Sequence, residues 1–203
     1  MDIAVIALAF AAIFVVELPD KTFLATLVLS TKYRGLYVWL GVGAAFAIQT
    51  GLAVAIGGVA TLLPQTLIQV IAGILFLGGA VLLLREARAH ASAGETEEAV
   101  QNEYGAGKTK EVHGLRQVAA SFMVLFAAEW GDLSQLLTMS LVARYHEPYA
   151  VFAGALGALL VVSGLAVLLG RTLLRFVKLE VLHYIGAAVC LVLGILTFVE
   201  VFA

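Results

Sequence analysis

Four carboxylates are placed where a sequence of this kind can least accommodate them. Glu17 and Asp20 form one Glu-x-x-Asp motif inside the first long apolar run, and Glu129 and Asp132 form a second inside the fourth. A carboxylate at mid-bilayer depth costs about 2.5 to 3.5 kcal/mol on insertion scales, so four left charged and uncompensated would cost on the order of 10 kcal/mol. The side chains around them are oxygen donors: Thr22, Ser134, the Gln135 amide and, in the second apolar run, Gln49. No histidine or cysteine accompanies either motif. That donor set suits a hard or borderline divalent cation such as Mn²⁺, Ca²⁺ or Mg²⁺ and argues against zinc or copper. Four ionised carboxylates beside Lys21 carry a net charge of about −3, which a divalent ion lowers to about −1, and protons can take the ion's place. Competition between metal and proton for the same oxygens is the minimum requirement for antiport.

If the chain is helical through each motif, the i, i+3 spacing puts both acids on one face. Pro19 and Gly131 occupy equivalent places within the motifs and both weaken a helix. Proline removes an amide donor, and glycine adds backbone freedom. Helices one and four are therefore expected to be broken there, which would free the carbonyls of Val15 and Ala127 as further oxygen ligands. Lys21 also has a plain reading, an i, i+4 ion pair with Glu17 that eases insertion. The second motif has no such base, because position 133 is leucine.

The elements that must position these groups are transmembrane helices. Of the 203 residues, 62% are hydrophobic and 13% charged, and the mean hydropathy is +1.03, more apolar surface than a water-exposed fold can hide. Apolar runs at about 2–31, 36–60, 66–86, 115–143, 149–170 and 180–202 predict six helices. Turn chemistry separates them at 32–35, near Pro64, at His146-Glu147-Pro148 and over the basic stretch from Arg171 to Lys178. One connection, 87–114, is long and polar and reads as a solvated cytoplasmic linker. The first run lacks a basic leader and carries Glu17, Asp20 and Lys21, so it reads as a retained span. The lone cysteine, Cys190, permits no disulfide within the chain.

Lys32, Arg34, Arg85, Arg88, Lys108, Lys110, Arg116, Arg171, Arg175 and Lys178 fall beside the first, third and fifth connections, and Arg144 alone lies on the other side. The positive-inside rule then predicts both termini on the non-cytoplasmic face. The expected partners are a divalent cation, protons and the lipid bilayer, with assembly into a homo-oligomer left open. No nucleic-acid partner and no cofactor beyond the transported ion are expected.

The two halves repeat. Glu17-Leu18-Pro19-Asp20-Lys21-Thr22 aligns with Glu129-Trp130-Gly131-Asp132-Leu133-Ser134, Thr50 to Val54 with Ser163 to Val167, and Glu86 with Glu200. This divides the chain into a first three-helix repeat (1–86), the linker (87–114) and a second three-helix repeat (115–203). An odd number of spans per repeat inverts the second relative to the first, a signature of secondary transporters with a site at the repeat interface. Glu86 and Glu200 read as interfacial residues at span ends. The helix glycines read first as close-packing positions, and the four histidines lie at or beyond the interfaces.

Paired Glu-x-Gly-Asp-(Lys/Arg)-(Thr/Ser) motifs in the first and fourth of six spans resemble the family of Golgi-type calcium/manganese:proton exchangers, which includes bacterial manganese exporters. The likeness covers the whole chain and implies that Glu17, Asp20, Glu129 and Asp132 bind the transported cation. Pro19 and Leu133 depart from the pattern, whereas Thr22 and Ser134 keep it. The compact length resembles the bacterial branch, which implies Mn²⁺ export across a bacterial inner membrane. Other readings stand beside this one: a Ca²⁺:H⁺ antiporter of the same fold, an exporter of a small organic cation or amino acid, an intramembrane diacid protease using Asp20 and Asp132, or a non-transporting scaffold.

Overall fold

The computed structural model describes residues 2–18, 20–60, 62, 64–92, 114–176 and 179–202. Among the described residues the chain is all-helical: α1 (Ile3–Glu17), α2 (Lys21–Lys32), α3 (Gly35–Ala60), α4 (Gln65–Ser92), α5 (Leu115–Ala128), α6 (Leu133–Tyr145), α7 (Pro148–Phe176) and α8 (Leu179–Phe202). The first and fourth apolar runs are each two helices. The pair α1 and α2 is bent by 71° at its junction.

Among the described residues, two helices are long and apolar enough on their own to cross a membrane, Gly35–Ala60 and Pro148–Leu168, and the bent pair α1 and α2 makes a third if it is one span. Shorter apolar stretches occupy Gln69–Arg85, Leu115–Ala128 and Tyr184–Val199. The fourth apolar run is itself divided, with α5 stopping at the second motif and α6 beginning beyond it. Exposed aliphatic side chains cover these helices, with Val59 at 67% and Leu168 at 80%. An apolar surface of that extent needs lipid against it.

Two expected boundaries move. Helix α4 continues to Ser92, past residue 87, and Ala87 is fully buried. Residues 93–113 lie outside the described residues. Helix α7 likewise runs through Arg171 to Phe176, where a break was expected. No glycine or proline interrupts either stretch, and alanine, arginine, leucine and glutamate propagate a helix well. The break at His146-Glu147-Pro148 is where the sequence puts it. His146 takes a left-handed conformation, φ 56°, as the cap of α6, and Pro148 opens α7.

The packing repeats across the halves. Helix α1 packs on α7 and α5 packs on α3, while α3 meets α7 and α4 meets α8. The α1–α7 and α5–α3 pairs each close on a glycine. A Cβ at Gly154 in α7 would collide with the Ile6 carbonyl and meet Ala9 Cβ at 2.9 Å and the Phe10 nitrogen at 3.0 Å. One at Gly41 in α3 would collide with the Val118 carbonyl and meet Ser121 Cβ and the Phe122 nitrogen at 3.0 Å. Further along α3, Gly57 lies against Met139 and Val142 of α6. Helices α5 and α6 thus run along α3 in its own direction. The core between them includes Ile13, Val16, Val38, Val42, Leu125, Leu137, Leu141 and Val151.

Candidate cation site

The site is built at two interrupted helices. Helix α1 ends at Glu17, and the Leu18 amide closes its last turn on the Phe14 carbonyl at 3.0 Å. The Asp20 amide then donates to the Glu17 carbonyl at 3.1 Å, and Asp20 turns extended (φ −78°, ψ 159°) to become the N-cap of α2. The second half repeats this construction. The Glu129 amide donates to Leu125, the Asp132 amide to the Glu129 carbonyl at 3.2 Å, and Asp132 (φ −69°, ψ 164°) caps α6. The two acids of each motif therefore do not share a continuous helical face. Each glutamate stands where one helix stops, and each aspartate starts the next, with the positive end of a half-helix behind it.

Three of the four acids converge. Oxygens of Glu17, Asp20 and Asp132 lie within 4.8 Å of one another. A cation with metal–oxygen distances of about 2.0 to 2.6 Å keeps its ligands within about 4 to 5.2 Å of each other, so this spacing fits one ion between them. The Thr22 hydroxyl donates to Glu17 Oε1 at 2.6 Å and approaches Asp20 Oδ2 at 3.3 Å. Across the repeat interface the Ser134 amide and hydroxyl meet Asp132 Oδ2 at 3.3 and 3.5 Å, and Ser134 also neighbours the Glu17 carboxylate. Glu17 is 1% exposed, and its Oε2 is buried without a hydrogen-bond partner. A buried carboxylate oxygen left unmatched by protein donors is what a cation or proton would satisfy.

Glu129 is as buried as Glu17 but stands outside this group of three. It lines a small adjoining cavity of about 10 Å³ with Phe46, Gln49, Thr50, Ser134, Gln135, Thr138 and Leu159, and Ser134 belongs to both places. Gln135, expected as a supporting ligand, is hydrogen-bonded within the broken turn. Its Nε2 donates to the Glu129 carbonyl at 2.7 Å and its Oε1 accepts from the Gly131 amide at 3.3 Å, so both ends of the amide fasten the broken turn. Gln49 Nε2 donates to the Phe126 carbonyl at 2.9 Å. The carbonyls of Glu129 and Phe126 thus gain side-chain partners near the second break, where the Ala127 carbonyl was expected to be freed. The Val15 carbonyl sits against Gly186 of α8. Pro19 and the side chain of Lys21 lie outside the described residues. Thr50 and Thr138 were not foreseen in the site, although Thr138 is one turn beyond Ser134 on α6 and its hydroxyl bonds the Ser134 carbonyl at 2.7 Å.

Gly131 adopts φ +80°, a conformation that costs an L-residue about 1 to 2 kcal/mol. Gly131→Ala is expected to lower the thermal midpoint in detergent and to weaken cation affinity by shifting Asp132. Cation titrations beside the thermal melt check both effects.

The profile of the divalent cation/proton antiporter family GDT1 matches residues 5–91 and 117–203, one stretch around each motif. This chain belongs to the GDT1 family. It is an integral membrane protein of a transporter family and not an enzyme, which removes the diacid protease reading. A GDT1-like protein of Synechocystis sp. is 35% identical over 78% of this chain and 79% of its own length. The chloroplast PAM71-homolog protein of Arabidopsis thaliana is 31% identical over 96% of the chain and 59% of its own length. The chloroplast GDT1-like protein 2 of Oryza sativa subsp. japonica is 32% identical over 96% and 60%. The chain thus spans about three fifths of the length of these GDT1 relatives from plants. No solved structure matches it.

Proposed function

We propose that this chain exchanges a divalent cation for protons, and that it exports Mn²⁺ from the cytoplasm of a bacterial cell across the inner membrane. The observation that carries the reading is the convergence of Glu17, Asp20 and Asp132, drawn from both halves, at two helix breaks of the same construction. Glu129 completes the set when the halves shift relative to one another. Its backbone is already part of the same turn as Asp132, and Ser134 links its cavity to the three-acid cluster.

The six apolar segments form two inverted repeats of three in this reading. Support comes from the glycine contacts: α1 begins beside the start of α7, α5 begins beside the start of α3, and α3 and α7 enter from opposite sides. With the basic connections at Lys32–Arg34 and Arg171–Lys178 in the cytoplasm, both termini face away from it. Inversion places one site on the pseudo-twofold axis and lets rocking of one half against the other expose it alternately. Because metal and protons need the same oxygens, loading one ejects the other, and the proton gradient drives export.

Three carboxylates within 4.8 Å of one another favour a bare divalent ion over a bulkier organic substrate. The cavity beside Glu129, about 10 Å³, has room for one water or a bare ion. The all-oxygen donor set also fits Ca²⁺. The deciding measurement is flux into proteoliposomes under an imposed pH gradient with Mn²⁺, Ca²⁺ and Mg²⁺ compared in parallel. The expected order places Mn²⁺ first, with counterflow of protons. Metal flux that neither moves protons nor responds to the gradient would exclude antiport.

A further inference from the structure

The repeat predicts two matching environments around the acids, and the structure contains only one of them. In repeat register, Thr50 corresponds to Ser163 and Ser134 to Thr22, so Gln49 corresponds to Val162 and Gln135 to Phe23. On the first-half side Phe23 and Val162 pack together with Leu24, Val28 and Ala166 in a separate apolar cluster. On the second-half side the same positions are amides, and a cavity opens there beside Glu129. Within that cavity Gln49 is 3% exposed, its Nε2 is held by the Phe126 carbonyl, and its Oε1 is buried with no hydrogen-bond partner. The bond to Phe126 fixes the amide so that the oxygen is the end left for an occupant. A buried amide oxygen with nothing to accept costs about 1 to 3 kcal/mol, so the arrangement calls for one.

The cavity lies on the Tyr145 side of the acids. Gly57, close to the end of α3, packs on Met139 and Val142, while Ser134, Gln135 and Thr138 step away from the cluster along α6 in that direction. We infer that the cavity bounded by Gln49, Thr50, Glu129, Ser134 and Thr138 is a second cation station between the three-acid cluster and the Tyr145 face, with the Gln49 amide oxygen as its specificity-determining ligand. The occupant is a divalent cation stripped of most of its water, since the space admits about one small particle. A neutral amide oxygen is a suitable ligand at such a station. It replaces a hydration oxygen without adding a charge that would hold the ion, so the ion can move on to the carboxylates. The counterpart space is closed by Phe23 and Val162, so the two faces of the transporter differ in how they hand over the ion.

The inference rests on the proposed cation exchange and is tested in the same proteoliposomes with Mn²⁺ as the probe. Gln49→Met keeps the length of the side chain and removes its oxygen. Gln49→Glu keeps an oxygen but, when ionised, loses the donor to Phe126. Gln49→Met is expected to raise the half-saturating Mn²⁺ concentration about tenfold, whereas Gln49→Glu, which keeps an oxygen and adds a charge that holds the ion, should leave that concentration level or lower it and reduce maximal flux. A role confined to tying α3 to α5 would weaken both variants alike, and that outcome, or no change in either, overturns the inference. If Gln49→Met fails to insert, Thr50→Val removes another cavity oxygen while leaving the Gln49 to Phe126 bond in place. It should raise the half-saturating concentration about threefold, and an unchanged value overturns the station. Loss of flux in Asp132→Asn without the split between the Gln49 variants refutes this station alone. A parent protein that carries no divalent cation refutes the exchange as well.

Discussion

Replacing Asp132 with asparagine, or Glu17 with glutamine, is expected to reduce proton-coupled Mn²⁺ flux by about a hundredfold or more while the protein still inserts and folds. Each substitution keeps the size of the side chain and removes one of three carboxylates whose oxygens lie within 4.8 Å of each other. A charged ligand to a divalent ion contributes more than a neutral hydrogen bond, and its loss also removes a group on which a proton could replace the metal. Folding should hold because these carboxylates are a burden on insertion. Neutralising one removes about 2.5 to 3.5 kcal/mol of that burden at mid-bilayer depth. The thermal midpoint in detergent should therefore stay level or rise as flux falls, a combination that general misfolding cannot produce. Thr22→Val and Ser134→Ala give a graded comparison. Their hydroxyls orient Glu17 and Asp132 at 2.6 and 3.5 Å, so a loss of about ten- to a hundredfold in affinity is expected, as for partners that orient a metal ligand. Undiminished Mn²⁺ and Ca²⁺ flux in both acid variants would refute the carboxylate site.

The acids were legible in the sequence because burying a charge is so unfavourable that its presence in an apolar run needs a reason. The pairing of the motifs was legible for a related reason: Glu17-x-x-Asp20 and Glu129-x-x-Asp132 stand out against apolar text. The relation of the acids to one another was not. The i, i+3 spacing places Glu129 and Asp132 on one face only while the helix continues, and at Gly131 it does not. With φ +80°, the Gly131 amide turns to the Gln135 side chain. Asp132 then caps α6 and joins Glu17 and Asp20, while the Glu129 carboxylate lines the adjoining cavity. Which face an acid takes is decided by the few degrees of freedom in a three-residue turn, and no periodicity in the sequence reports on those.

The same limit explains Gln135 and Gln49. Both were read as oxygen donors around the acids. Gln135 finds both its partners in the turn itself, whereas Gln49 finds one at Phe126 and keeps its oxygen toward the cavity. The difference lies in tertiary distance. Gln135 is a few residues from the carbonyl it holds, and Gln49 reaches across from α3 to α5. Helix ends were misread for a different reason. Charged residues such as Arg85 and Arg88, or Arg171 and Arg175, mark where a helix leaves hydrocarbon, but they do not stop it, and α4 and α7 continue past them.

Gly154→Ala and Gly41→Ala are expected to be the most damaging single-methyl additions among the helix glycines, each destabilising the protein by about 1 to 3 kcal/mol and depressing flux with it. At both positions the added carbon would run into a backbone carbonyl of the facing helix, Ile6 for Gly154 and Val118 for Gly41, with the amide nitrogen one turn further along that helix at 3.0 Å. Backbone cannot rotate away as a side chain does, so α1 must move off α7, or α5 off α3. These are the helices that end in Glu17 and Glu129, and a displacement at Ile6 or Val118 is carried along a rigid helix to the acid at its end. Gly78→Ala is the matched comparison. Nothing lies within 4 Å of its added carbon, and alanine favours a helix over glycine by about 1 kcal/mol, so this change should be neutral or stabilising in the same melt. Equal midpoints for Gly154→Ala and Gly78→Ala would show that close approach of α1 and α7 does not set the geometry of the site. Similar losses at Gly154 and Gly41 would instead mark the two contacts as equivalent points of one repeated design, in which each half holds the broken helix of the other against its long unbroken one.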